Sequence, residues 1–349
     1  MSAAPILSLR AAGKSFGSRR VAQRISFDVD AGEVVCLLGP SGSGKSTVLR
    51  IVAGVERADE GEVLIAGRVV EGSGAYVPPE LRQVGLVFQD LALFPHLNAR
   101  ANAMFGLFRR PKADAGARAD ALLAMVGLSG HASSFPYQLS GGEQQRLAVA
   151  RAIAPSPKVM LLDEPFSGLD DRLRDEVRDE VLRLLRAQGA ATLFVTHDPN
   201  EALRSADRIV LLRDGLIAQA GSPDSLWGQP ADLGVASFFS PVSTLEATVA
   251  DGEAITVLGG VNAPGIAAGE KVIVALRPRD LALSSGGLPL EPQAVSLGSD
   301  GLHVRFAPAP GLPDGLSAIF EPESAFRAGS TVRIGLRPGK GFVFRRQGA

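Results

Sequence analysis

The chain has 349 residues, 46% of them hydrophobic and 21% charged, enough for a large core and, by ordinary domain sizes, about two domains. Its formal net charge of -1 gives no electrostatic case for nucleic acid or an anionic membrane as the main partner. The single cysteine, Cys36, excludes an internal disulfide and fits a reducing cytosol; with no signal-peptide pattern in Met1 to Pro5 and no run of 18 apolar residues, any membrane anchor is expected from another chain.

In chain order, Ile6 to Arg10 reads as a short strand, and Ile25 to Val29 alternates apolar and polar residues as a half-buried antiparallel strand does. The apolar run Val34 to Leu38 then leads into Gly39-Pro40-Ser41-Gly42-Ser43-Gly44-Lys45-Ser46-Thr47, a complete G-x-x-x-x-G-K-[ST] loop ahead of a helix that Gly54 caps. A hairpin is expected around Ala66-Gly67-Arg68, and Val84 to Phe88 is an apolar strand delivering Gln89. From Leu91 the pattern turns helical, which predicts an inserted helical subdomain over about residues 91 to 155. Ser140 and Glu143 have capping-box spacing at the start of a helix, and Pro155 lies beyond its end. Lys158 to Leu162 is a buried-type strand ending at Asp163-Glu164; a long helix follows, with Leu173, Val177, Val181 and Leu184 on one face and Gly189 after it. Thr192 to Thr196 is a strand delivering His197, and Arg208 to Ala218 closes the unit as a hairpin over Asp214-Gly215.

Composition shifts between Gly228 and Pro241, which predicts a first domain over residues 1 to 240 and a small all-β domain over 241 to 349. Within the latter, Ala268 to Pro278 resembles Ala328 to Pro338, either as a duplicated strand-plus-turn unit or as two unrelated strands with similar ends.

The glycines of the loop let backbone N–H groups turn inward around a polyphosphate, and the helix behind adds its partial positive charge. Lys45 is placed to pair with the β- and γ-phosphates, and the Ser46 hydroxyl to meet Mg²⁺. In an open parallel sheet, ligands sit beyond the carboxyl ends of the strands, so the loop, Gln89, Asp163-Glu164 and His197 are expected in one crevice. There Asp163 is a partner of Mg²⁺, directly or through its water, and Glu164 is the candidate for polarising the attacking water. His197 is expected at the γ-phosphate, and Gln89 to contact both Mg²⁺ and water. Ser140-Gly141-Gly142 is a helix N-terminus stripped of bulk, either a second anion site or simply a capped helix.

With the loop Gly39 to Thr47, the octet Leu139-Ser140-Gly141-Gly142-Glu143-Gln144-Gln145-Arg146, Val159 to Pro165, Ser167-Gly168-Leu169-Asp170 and Val195 to Asp198 in one order, the chain resembles the ATP-binding-cassette ATPases over residues 5 to 240. The resemblance implies a P-loop α/β domain with a mixed sheet and a helical insert, followed by an oligomer-binding-like regulatory domain. It implies a homodimer in which Ser140, Gly141, Gly142 and Gln144 of one protomer, with Asp170, close on ATP and Mg²⁺ held by the other, and in which Phe16 stacks on adenine where the family usually has tyrosine.

Val77 to Glu80, Val87 to Asp90 and Leu93 to Leu97 look like the importer branch, in which this region docks a helix of a membrane permease. The expected setting is the cytoplasmic face of the inner membrane, with a periplasmic solute-binding protein as an indirect partner and no nucleic acid. Leu276-Arg277-Pro278-Arg279-Asp280 resembles the regulatory domains of ATPases serving ferric iron, sulfate, polyamines, sugars and thiamine, with the ferric-iron type nearest in pattern. No His/Cys/carboxylate cluster has ligand spacing, so iron is not expected to bind this chain. A non-transport cassette acting on ribosomes or DNA is the alternative; such proteins usually carry two cassettes or a long coiled-coil insertion, and usually a basic face.

Overall fold

The computed structural model describes residues 4–72, 74–107, 111–167, 169, 171–312, 314–322, 326 and 330–346. It divides into two compact units, Met1–Gln229 and Pro230–Ala349, a division that falls ahead of the expected boundary at residue 240.

In the first unit a six-stranded sheet has the order Leu216–Gly221, Arg208–Arg213, Val34–Leu38, Ala191–Val195, Val159–Asp163, Val84–Val87. All neighbours are parallel except the first pair, a hairpin over Asp214 and Gly215. The three central strands are buried along their whole length, which is why they read as unbroken apolar runs. Parallel pairing places the ends at Leu38, Val87, Asp163 and Val195 along one edge, where the site is built.

A second, antiparallel sheet has the order Arg19–Val29, Leu7–Phe16, Glu60–Ile65, Arg68–Gly72, Ala75–Tyr76. Its first two strands run further than expected because bulges interrupt the alternation: pairing slips between Leu9 and Ala12, and Ala11 takes φ 47°. The hairpin therefore continues to a tight tip at Gly17, with Phe16 opposite Arg19. Between the sheets lies the Lys45–Ala53 helix, whose Val48, Leu49, Ile51 and Val52 join both sheets in one core. Truncating Leu49 or Ile51 to alanine would cost about 2–5 kcal/mol.

The carboxyl end of that helix is clamped. Gly54 caps it in the left-handed conformation, and buried Arg82 donates to the Ile51 carbonyl at 2.7 Å and the Val52 carbonyl at 3.2 Å. The opposite side of the guanidinium pairs with Glu71 at 2.5 Å, and the Tyr76 hydroxyl donates to the Gly54 carbonyl at 3.1 Å. The antiparallel sheet thus holds the rear of the helix whose front carries the phosphate loop.

The helical stretch contains Ala99–Met104, Lys112–Met125 and Gly141–Ile153, joined by short 3-10 turns. Gly141–Ile153 packs against Asp171–Ala187 closely enough that a β-carbon on Gly142 would stand 3.1 Å from Leu173.

The second unit begins with the Leu233–Phe239 helix and, apart from a 3-10 turn at Pro278–Asp280, is β among the described residues, with antiparallel sheets of five, two and three strands around a core of its own. The two resembling strands fall in different sheets: Lys271–Leu276 pairs with Ser243–Ala250 and Phe342–Arg345, and Val332–Leu336 with Leu281–Leu290. The 3-10 turn after the first strand nevertheless meets the end of the second, the Arg337 N–H donating to the Asp280 carbonyl at 2.8 Å. Residues 328 and 329 of the second copy lie outside the described residues.

Candidate active site

The phosphate loop depends on glycine at two places. Gly39 at φ 150° and Gly44 at φ 100° lie where a β-carbon would collide with the carbonyls of Leu212 and Val21. Pro40, Ser41 and Gly42 are exposed at the rim, and Thr47 follows in the helix. Lys45 is buried and turns its ammonium back into the loop, donating to the Gly39 carbonyl at 2.8 Å and the Pro40 carbonyl at 2.9 Å. Burial lowers its pKa, against the pull of Glu164 and Asp163. Beside it the buried Ser43 hydroxyl has no hydrogen-bond partner among the described residues. A caged cation, an orphaned hydroxyl and the start of a helix fit a polyphosphate.

Ser46, one residue further, donates its hydroxyl to Asp163 Oδ1 at 3.1 Å. Burial raises the Asp163 carboxyl, and the Ser46 bond opposes that rise. Two oxygen donors this close, one on a carboxylate held in a desolvating pocket, fit a hard divalent cation such as Mg²⁺. Gln89 stands exposed in the turn just past Val84–Val87, the strand that neighbours Val159–Asp163.

Glu164 leaves its strand at φ 45°, in the left-handed region, with its N–H donating to the Val195 carbonyl at 3.1 Å. That turn aims its side chain away from Asp163 and toward the neighbouring strand end, where Oε2 lies 3.1 Å from His197 Nδ1. Glu164, Phe166, Ser167, His197, Asp198 and Glu201 line a cleft of about 100 Å³. Glu201, on the Pro199–Ser205 helix, is only 8% exposed, and its Oε1 has no hydrogen-bond partner among the described residues.

Phe16 is half exposed at the hairpin tip, with the Lys14 ammonium 5.3 Å from its ring centroid. Opposite it, Arg19 reaches across and donates to the Gly42 carbonyl at 3.3 Å, which fixes the tip beside the phosphate loop. The sequence pattern ends the first strand at Arg10, short of the observed Phe16, and so does not point to Arg19. The signal was there: a two-residue turn over Gly17-Ser18 sets residues 16 and 19 side by side.

Ser140 caps the Gly141–Ile153 helix in a full capping box. Its hydroxyl accepts from the Glu143 N–H at 3.4 Å and donates to Glu143 Oε2 at 2.8 Å, and that carboxylate also accepts the Ser140 N–H at 2.8 Å. These contacts hold the Glu143 carboxyl below its ordinary value. Gly141 is exposed and Gly142 buried on Leu173, so at Gly142 the missing side chain also serves helix packing. Gln144 donates to the Leu139 carbonyl at 3.0 Å. Asp170, with Gly168, lies outside the described residues.

The site thus gathers Lys45, Ser46, Asp163, Glu164 and His197 at one sheet edge, with Phe16 beside the loop. Comparison with known proteins bears on the family of the chain. The family model described as ABC transporter matches residues 22–167. The chain is 44% identical over 287 residues to the spermidine/putrescine import ATP-binding protein PotA of Nitratidesulfovibrio vulgaris, covering 79% of this chain and 77% of that one. It is 42% identical over 301 residues to the Fe(3+) ions import ATP-binding protein FbpC of Streptomyces avermitilis, covering 86% of each. Among solved structures, a dimeric post-hydrolysis state of the ATP-binding cassette MJ0796 bound to ADP and Pi is similar at 32% identity and a TM-score of 0.55, over 62% of this chain and 98% of that one.

Proposed function

The chain belongs to the ABC transporter family as an ATP-binding, ATP-hydrolysing subunit, and from that premise we propose that it powers a solute importer from the cytoplasmic face of the membrane, with ferric iron as the cargo. The observation that carries the catalytic part is the 3.1 Å approach of Glu164 Oε2 to His197 Nδ1 at the sheet edge that also holds Lys45, Ser46 and Asp163.

In this reading Gly39 to Thr47 cradle the phosphates through backbone N–H groups, and Lys45 leaves its carbonyl partners for the β- and γ-phosphates. Ser46 and Asp163, with Gln89, hold Mg²⁺, which when bound neutralises charge on the β- and γ-phosphate oxygens. Glu164 accepts a proton from the attacking water, and His197 steadies the Glu164 carboxylate while facing the γ-phosphate. Phe16 offers its ring face to adenine. Two copies pair so that Ser140, Gly141, Gly142 and Gln144 of one protomer, with Asp170, complete the pocket of the other; the free N–H groups of that helix start supply the donors.

Among the described residues no helix is long and apolar enough to cross a membrane. In this reading two permease subunits supply the pathway, docking on the Gln89 side of the cassette, and a periplasmic solute-binding protein delivers cargo to them. The 86% mutual coverage with FbpC and the short glycine-rich second unit favour iron, and relatives named for polyamines keep another solute as the alternative. In this reading the cargo passes through the partners and is not held by this chain. The test is to purify the chain with its permease and binding protein in vesicles and measure ATP hydrolysis with each solute. Stimulation by the ferric-loaded binding protein supports the assignment, and stimulation by spermidine or sulfate instead replaces it.

A further inference from the structure

Two consecutive non-glycine residues just after Gln89 occupy the left-handed region, Leu91 at φ 59° and Ala92 at φ 45°. A β-carbon crowds the backbone there, so such a pair persists only where its surroundings impose it. Arg151, in the last turn of the helix that starts at Ser140, supplies that constraint. Its Nη1 donates to the Ala92 carbonyl at 2.5 Å and its Nη2 to the Leu91 carbonyl at 2.8 Å, so one planar fork grips both strained residues.

The loop is bolted down further along as well. The Arg151 guanidinium lies 5.3 Å from the Phe94 ring centroid, and the side-chain amide of fully buried Asn102 holds the Phe94 backbone, its Oδ1 accepting the Phe94 N–H at 2.9 Å and its Nδ2 donating to the Phe94 carbonyl at 3.1 Å. Leu91 to Leu97 is thus fastened to the helices, whereas Val84–Val87 is fastened to the central sheet by its pairing with Val159–Leu162. Gln89 stands between the two anchorages. Its position is set jointly by the sheet and by the helix bearing Arg151.

We propose that Arg151 is a positioning residue for Gln89. By holding Leu91 and Ala92 in the left-handed conformation it fixes where the glutamine stands and ties it to the helix that begins at Ser140. The proposal rests on the reading of Gln89 as a nucleotide-site residue, and Arg151 acts through it, making no contact with nucleotide itself.

The test uses the full-length chain with Mg-ATP, reading kcat and KM together with hydrogen exchange across residues 88–97. Arg151→Met is expected to lower kcat about tenfold or more at nearly constant KM and to speed exchange of that segment. Adding Leu91→Gly and Ala92→Gly removes the β-carbons that need holding, so this combination should recover much of the loss; a residue that merely props up the fold would show no such rescue. The pair Gln89→Ala with Arg151→Met should be no slower than Gln89→Ala alone.

Losses that multiply in that pair, or unchanged exchange in Arg151→Met, overturn the proposal. Should Arg151→Met fail to fold, Arg151→Lys keeps the charge without the two-pronged donor and serves the same comparisons. If Gln89→Ala hydrolyses at full rate, the reading of Gln89 falls together with the coupling built on it. Exchange then decides separately whether Arg151 clamps the loop.

Discussion

Glu164 Oε2 lies 3.1 Å from His197 Nδ1, each residue just beyond the end of one of two neighbouring parallel strands. The contact exists because Glu164 turns through a positive φ immediately after Asp163, so adjacent carboxylates point to different tasks. One faces the Ser46 hydroxyl and the other the histidine. Glu164→Gln keeps the size and removes the proposed base. It should slow hydrolysis by about 10²–10⁴ while ATP affinity stays within a few-fold. Single-turnover hydrolysis measured beside equilibrium ATP binding separates the two, and hydrolysis at full rate would remove Glu164 from the role.

Phe16 is half exposed beside the phosphate loop, and under the proposed function its ring stacks on adenine. Base stacking on an aromatic is worth roughly 1–3 kcal/mol, so Phe16→Ala should weaken ATP binding about 5- to 150-fold. Phe16→Tyr should bind almost as the parent does, and inorganic triphosphate should bind all three alike. A Phe16→Ala loss equally large for triphosphate would place the ring elsewhere.

Much of this arrangement was legible in the sequence. Val34–Leu38, Val159–Asp163 and Ala191–Val195 are buried on both faces, so each appears as an uninterrupted apolar run whose last residue marks the site edge. Ser140 and Glu143 announce a capping box by spacing alone, and the structure forms it. What stayed hidden depended on irregular backbone. The bulge at Ala11 broke the alternation and concealed the hairpin tip, and with it the reach of Arg19 to Gly42. Nor does local composition reveal the positive φ of Glu164, Leu91 and Ala92, because nothing marks a non-glycine residue for that region; tertiary contacts impose it.

The ion pair of Arg82 with Glu71 is buried on both sides, with side-chain exposures of 0% and 2%. Arg82→Met would leave the Glu71 charge without its best partner and release the Ile51 and Val52 carbonyls at the rear of the phosphate-loop helix. Breaking one half of such a pair costs about 3–5 kcal/mol. Urea titration should show a clear drop in the unfolding midpoint of the first unit, and an unchanged midpoint would contradict the clamp.

Glu201 carries the clearest pH signature. Burial raises its carboxyl above the ordinary 4.5; the Thr196 bond opposes this, Asp198 adds to it, and Arg178 and Arg174 counter it. A raised folded-state pKa means the folded chain holds this proton more tightly than the unfolded chain does. Its stabilising contribution is therefore complete below 4.5 and is lost as pH rises through the folded value. Glu201→Gln never charges and escapes that loss. Its Tm should exceed the parent's at neutral and alkaline pH, with an advantage that shrinks as pH falls toward 4.5. A Tm difference independent of pH would contradict this account.

The central claim is that each pocket is completed by the other copy, and mixing two damaged chains tests it most directly. Lys45→Ala disables a chain's own phosphate loop. Ser140→Asp preserves the helix cap yet sets a negative charge where the neighbour's phosphate would lie. In a mixed pair one pocket receives both lesions and the other receives neither. The account predicts that each variant alone is nearly inactive and that the mixture hydrolyses ATP well above the sum of the two. A mixture no faster than that sum, or a Ser140→Asp chain hydrolysing at the parent's rate, would contradict it.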